Sequence, residues 1–318
     1  MIKALATNRA LVAFIGVALV FLLGAALIPG FASLFSIRAM LVLAALLAIA
    51  ALGQTLVMIL GGIDLSIPFV IGFANVVFAS LYGDGMSPLL AGILVLASAG
   101  LIGAFSGALS AALSIHPLIV TLGVGTMVQA GVQIWTRGLP TGSAPAFIND
   151  FVSLGGSIGP LPFPWLIPFT ILLTLGTVFV LRRTIYGRKL YALGSNIKAA
   201  ELALIRPVAI WAITFGLSAM FAALAGILLL GFTGSSSATV GTPYLFQTVS
   251  AVVIGGTALI GGRGGFVGTV AGAIMLMELR TFLIGMGFSD AMVQSSLGVL
   301  ILLLVAAYGR DRHIRNLI

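Results

Sequence analysis

Apolar runs of membrane-spanning length recur from one end of this chain to the other, and no stretch between them is both long and polar. A chain in hydrocarbon must satisfy every backbone N–H and C=O internally, so its spanning segments are helices or closed barrels. The runs here are about 20 residues long, the length that a spanning helix needs. The sequence therefore predicts an all-α fold, a polytopic membrane helix bundle, with residues 1–318 forming a single transmembrane domain. Composition agrees, since 60% of residues are hydrophobic and only 7% are charged. A soluble surface needs about 25%.

About ten runs qualify as spans: 10–29, 38–60, 67–82, 88–113, 117–136, 164–182, 207–232, 245–261, 265–287 and 290–308. The third and eighth are short and edged by glycine pairs, Gly61-Gly62, Gly255-Gly256 and Gly261-Gly262. Short or interrupted spans are where membrane proteins place irregular backbone beside a cavity. Lys3 and Arg9 ahead of the first run imitate a secretory signal, but the run is spanning length, so it is taken as the first membrane helix.

The net charge of +8 raises the question of nucleic acid. The positions answer it. With an even number of spans, 12 of the 15 basic residues fall on the side holding both termini: Lys3, Arg9, Arg182, Arg183, Arg188, Lys189, Lys198, Arg206, Arg263, Arg310, Arg312 and Arg315. Cytoplasmic loops carry this excess, so both termini are expected in the cytoplasm, and no nucleic-acid partner is needed. Two polar loops stand out. Residues 138–163 form an outer loop, rich in Gly, Pro and Ser, with little regular structure expected. Residues 183–206 form a cytoplasmic segment in which Ser195 or Asn196 can cap a short helix, about 197–205, ended by Pro207.

Enzyme chemistry has little to work with. Cysteine is absent and there are two histidines, His116 and His313. No Walker loop exists, because none of the three lysines follows a glycine. No metal site and no resident cofactor are expected. The informative groups are ionisable or polar ones at membrane depth. Asp64 and Ser66, beside Gly61 and Gly62, can cap the helix after a break, with direct solute contact the lesser reading. Glu278 and Arg280 lie two apart in one span and face different sides, so they should not pair with each other. His116 precedes Pro117 as a helix-end residue. Gln54, Gln129 and Gln133 are candidate lining groups for a solute pathway, since amides both donate to and accept from hydroxyls, although Gln129 and Gln133, one turn apart, can equally serve a bond to another helix. Spacings of four, at Gly103 and Gly107 and at Gly264, Gly268 and Gly272, suit close helix packing.

Five stretches together resemble one family: GQTLVMILGGIDLS at 53–66, GALSAALSIHPLIVTLG at 107–123, YGRKLYALGSNIKAAELA at 186–203, AALAGILL at 222–229 and VVIGGTALIGGRGGFVGTVAGA at 252–273. In order and spacing they are similar to permeases of ribose/xylose-type ABC importers, related more distantly to branched-chain amino-acid permeases. The resemblance implies a permease subunit that forms a pathway for a monosaccharide or related polyol. It implies a second permease subunit, two ABC ATPase subunits that bind the ATP and Mg, and an extracytoplasmic sugar-binding protein. It also marks Gly187, Arg188, Lys189, Gly194, Asn196, Ala199, Ala200 and Leu204 as the segment that docks on the ATPase. The chain departs from the family pattern at Pro68, Leu245–Gln247 and Arg280-Thr281, and Ala203-Leu204 replaces a usual Ser-Gly. The rival reading is an ion-coupled secondary transporter of a small polar solute; the Gly-Gly breaks suit it, and the scarcity of intramembrane acids does not.

Overall fold

The computed structural model describes residues 9–308, which form thirteen helices and, among the described residues, one isolated bridge between Ile158 and Leu161. The basic residues expected at the termini, Lys3, Arg310, Arg312 and Arg315, lie outside the described residues. In chain order the helices are α1 (Arg9–Leu27), α2 (Leu34–Leu60), α3 (Ile67–Gly83), α4 (Pro88–Leu113), α5 (Pro117–Trp135), α6 (Ala146–Val152), α7 (Leu166–Arg183), α8 (Ile185–Ser195), α9 (Ile197–Leu202), α10 (Pro207–Thr233), α11 (Tyr244–Ile254), α12 (Phe266–Gly285) and α13 (Asp290–Tyr308).

Seven of them, α1, α2, α4, α5, α7, α10 and α12, are long and apolar enough to cross a membrane. Two further apolar helices, α3 and α11, are shorter. The run expected over 245–261 is cut at Gly255, so its helix has only 11 residues. Position in the bundle follows the apolar pattern. α2 is apolar all round, and 94% of its most apolar window is buried; for α1 the figure is 11%. A helix hydrophobic on every face must be covered on every face by protein or by lipid. α2 takes the first option at the bundle centre, and α1, at its edge, keeps most of its apolar surface uncovered by this chain.

α10 lies along α4 and also meets α2 and α3, while α12 packs on α1, α2 and α11. Small residues set these approaches. A Cβ on Gly107 would stand 2.5 Å from the Trp211 carbonyl oxygen, and one on Gly272 would stand 2.1 Å from that of Ala251. Gly103 and Gly107 thus serve the contact of α4 with α10, and Gly268 and Gly272 that of α12 with the end of α11, while Gly264 lies in the loop before α12 and meets the Thr257 side chain.

Both polar loops hold more helix than their composition suggests. Residues 138–163 contain α6, whose Ile148 and Val152 are buried, with Ile148 against Gly231 of α10. Residues 183–206 contain two helices rather than one. α8 is capped by Thr184, whose hydroxyl accepts from the Gly187 amide, and α9 ends at Leu202, earlier than expected.

Candidate functional site

α2 ends at a glycine for a physical reason. Gly61 takes φ +94°, and the amides of Gly61 and Gly62 return to the carbonyls of Met58 and Val57. This left-handed close satisfies the last carbonyls of the helix. The chain then turns back into the bundle, because the Asp64 amide donates to Gln54 Oε1 (3.3 Å), ten residues earlier on α2.

Asp64 is 2% exposed and holds this re-entrant stretch from inside. Its Oδ1 accepts from the Ser66 amide (2.9 Å) and from the Ser66 hydroxyl (2.6 Å). Its Oδ2 accepts from the Ser218 hydroxyl of α10 (2.7 Å). The neighbouring Leu65 amide donates to Thr121 Oγ1 of α5 (3.0 Å). The tripeptide Asp64–Ser66 therefore ties α2, α5 and α10 together. The expectation that Ser66 caps α3 through its side chain is not met: its hydroxyl is spent on Asp64, and no side chain caps α3. Asp64 in turn closes a turn onto the amide two residues on, rather than bonding the first turn of α3.

The second break meets the first. The Gly262 amide donates to the Ile59 carbonyl (2.8 Å). Gly194, at the end of α8, is wedged between them, where a Cβ would stand 1.9 Å from the Ile59 oxygen and 2.8 Å from the Gly262 nitrogen. A Cβ on Gly261 would stand 2.8 Å from the Gly194 oxygen and 2.9 Å from the Gly61 Cα. Two helix breaks and the end of α8 thus form one junction of bare backbone. Tyr191 of α8 braces it by donating to the Gly264 carbonyl (2.8 Å). Burial pushes the Tyr191 phenol up from its ordinary 10.0, against the opposing charge of Arg182, so it stays a donor. Deeper in the bundle Thr55 and Thr269 share a hydrogen bond (2.8 Å) that joins α2 to α12.

The segment expected to dock on an ATPase divides into two roles. Gly187 and Ala200 are buried, and a Cβ on Gly187 would meet the Leu181 carbonyl oxygen at 2.2 Å. Asn196, not Ser195, caps α9, its Oδ1 accepting from the Ala199 amide (3.0 Å); Ser195 donates to the Tyr191 carbonyl. Arg188, Lys189, Ala199 and Leu204 are exposed. Leu204 is 92% exposed and left-handed, φ +60°.

The three amides do not share an environment. Gln54 is fully buried and its Nε2 has no partner among the described residues. Gln129 is half-buried and Gln133 exposed on the outer flank of α5. Arg280 pairs with Asp290 (3.3 Å) and not with Glu278, whose Oε2 is buried without a partner among the described residues. His116 Nδ1 accepts from the Leu118 amide (3.3 Å), a cap at the start of α5. Asn75 gave no signal in the sequence. It is fully buried, donates to the Gly226 carbonyl (3.1 Å) and accepts from the Ser237 amide (2.8 Å), fastening the loop after α10 to α3.

Comparison with known proteins places this architecture. The family described as branched-chain amino acid transport system / permease component matches residues 36–307. Ribose import permease protein RbsC of Escherichia coli strain K12 is 34% identical over 258 residues, 81% of this chain and 80% of that protein. Autoinducer 2 import system permease protein LsrC of Shigella flexneri is 32% identical over 284 residues, 89% of this chain and 82% of that protein. No solved structure matches. With seven membrane-length helices and two shorter apolar ones among the described residues, and a match over most of its length, the chain belongs to this family of transport permeases and is a multi-pass membrane transport subunit, not an enzyme.

Proposed function

We propose that the chain is the permease subunit of an ATP-binding-cassette importer, forming the translocation pathway for a monosaccharide or related polyol. Relatives named for ribose and autoinducer-2 import support the solute class. The observation that carries the mechanism is the Gly194 junction, where the end of α8 is wedged against both helix breaks. Motion of an exposed, basic α8–α9 segment is thereby delivered to the re-entrant Asp64 stretch and the 255–265 loop, with no flexible side chain between to absorb it. In this reading the α8–α9 end faces the cytoplasm of a cell whose inner membrane holds about ten spans. Exposed Arg188, Lys189, Ala199 and Leu204 meet an ATPase. Two ATPase subunits carry the ATP and Mg, a second permease subunit completes the pathway, and an extracytoplasmic protein delivers the sugar.

The test is reconstitution in proteoliposomes with an ABC ATPase that co-purifies with the tagged chain and a sugar-binding protein, after thermal-shift identification of the sugar that the binding protein takes. Uptake should require hydrolysable ATP. Uptake that persists with a hydrolysis-dead ATPase and follows an imposed ion gradient would establish the secondary-transporter reading instead.

A further inference from the structure

A cavity of about 680 Å³ opens beside the junction, between α1, α7, α8 and the loop that carries α11 into α12. Its lining is divided. Val178, Leu181 and Val267 give an apolar wall, and Arg182 and Arg263 give a cationic one. Tyr191 lines it too, held to the Gly264 carbonyl. Among the described residues neither arginine pairs with a carboxylate, the one ion pair there joining Arg280 to Asp290. The start of α12 also borders the cavity, through Gly265, Phe266 and Val267. That 20-residue helix has no acidic residue in its first turn and no side-chain cap, so its positive end stays uncompensated.

Two guanidinium groups and an open helix N-terminus are a donor set for phosphate oxygens, because guanidinium binds them in pairs and the helix amides point outward. An uncharged sugar has no use for three like-signed partners. The apolar wall excludes nothing from a free phosphate, but it fits the glycerol and first methylenes of a lipid, as basic pockets at the ends of membrane helices do. We propose that this cavity binds a phosphate-bearing anion, an anionic phospholipid headgroup being the occupant that its apolar wall fits. The proposal needs a bilayer around the chain and is independent of the solute it transports.

Native mass spectrometry of the full-length chain in mild detergent tests it, with phosphatidylglycerol, phosphatidylcholine and inorganic phosphate as probes. Phosphatidylglycerol adducts should outnumber phosphatidylcholine adducts, and the double variant Arg182→Gln/Arg263→Gln should lose them about tenfold. A charge-matched control, Arg183→Gln/Arg206→Gln, should keep them. Arg182→Lys/Arg263→Lys guards against misfolding: it keeps the charge, loses the paired geometry and should fall between the two. If inorganic phosphate displaces the lipid at equal concentration, the phosphate chemistry stands and the occupant is the soluble anion. Equal retention by the Gln variant and its control, or equal retention of the two lipids, overturns the proposal. So does a Gln variant that keeps its lipid but loses its hold on the ATPase, which would make the cavity a protein docking surface.

Discussion

The amide of Gly262 donates to the carbonyl of Ile59 across 2.8 Å, joining the loop after α11 to the last turn of α2. These residues are about 200 positions apart in the chain, and each sits at a glycine-edged break. Gly194 of α8 fills the remaining space between them.

Gly194→Ala is therefore expected to be a far more damaging change than its size suggests. The added Cβ would stand 1.9 Å from the Ile59 oxygen, and backbone cannot swing aside as a side chain can. Overpacking of this kind costs about 1–3 kcal/mol. ATP-driven uptake in proteoliposomes should fall at least severalfold while the protein still inserts. Wild-type uptake by Gly194→Ala would mean that the junction does not transmit motion.

Asp64→Asn should behave nearly as wild type, and Asp64→Ala should not. Asparagine keeps one acceptor oxygen for Ser66, and its amide can donate to a rotated Ser218 hydroxyl. Alanine strands the Ser66 and Ser218 groups that now bond to the carboxylate. Each stranded buried group costs about 1–3 kcal/mol. Thermal unfolding and sugar uptake measured on both variants check this. Equal loss of transport in Asn and Ala, with both folded, would assign the charge itself a role.

Leu204 and Ala200 should respond in opposite senses. Leu204 is left-handed, φ +60°, which costs a non-glycine residue about 1–2 kcal/mol. Leu204→Gly should raise thermal stability, and Leu204→Glu should weaken ATPase association without unfolding the chain, because the side chain is 92% exposed. Ala200 is buried at 4% exposure, so Ala200→Glu should disrupt the α8–α9 pair itself. Limited proteolysis beside ATPase pull-down separates the two effects.

Cysteine scanning is clean here because the chain has no native cysteine. A water-soluble thiol reagent should label Gln133→Cys and Gln129→Cys in the assembled transporter and spare Gln54→Cys, which replaces a fully buried side chain. Protection of the first two in every nucleotide state would place that flank of α5 against lipid or a partner. It would then leave the pathway to other residues.

The sequence by itself determined the class of fold. Run length in a chain with so few charges permits only membrane helices. The glycine pair at 61–62 marks where α2 stops, whereas the run read through to 261 stops already at Gly255. It also showed that Arg280 and Glu278, two apart on one helix, could not pair. What it could not show is what those stops touch. Gln54, Thr121 and Ser218 read as isolated polar residues within apolar runs, on helices far apart in the chain. Only packing brings them onto the Asp64 turn. Asn75 is silent for the same reason, since its partners lie more than 150 residues away. The loop 183–206 reads as one short helix because polar composition hides α8, whose apolar Leu190 and Leu193 have meaning only against the bundle. Length and apolarity are local properties and survive in the sequence; a junction of bare backbone has no side chains to announce it, so tertiary structure alone decided where the two breaks meet.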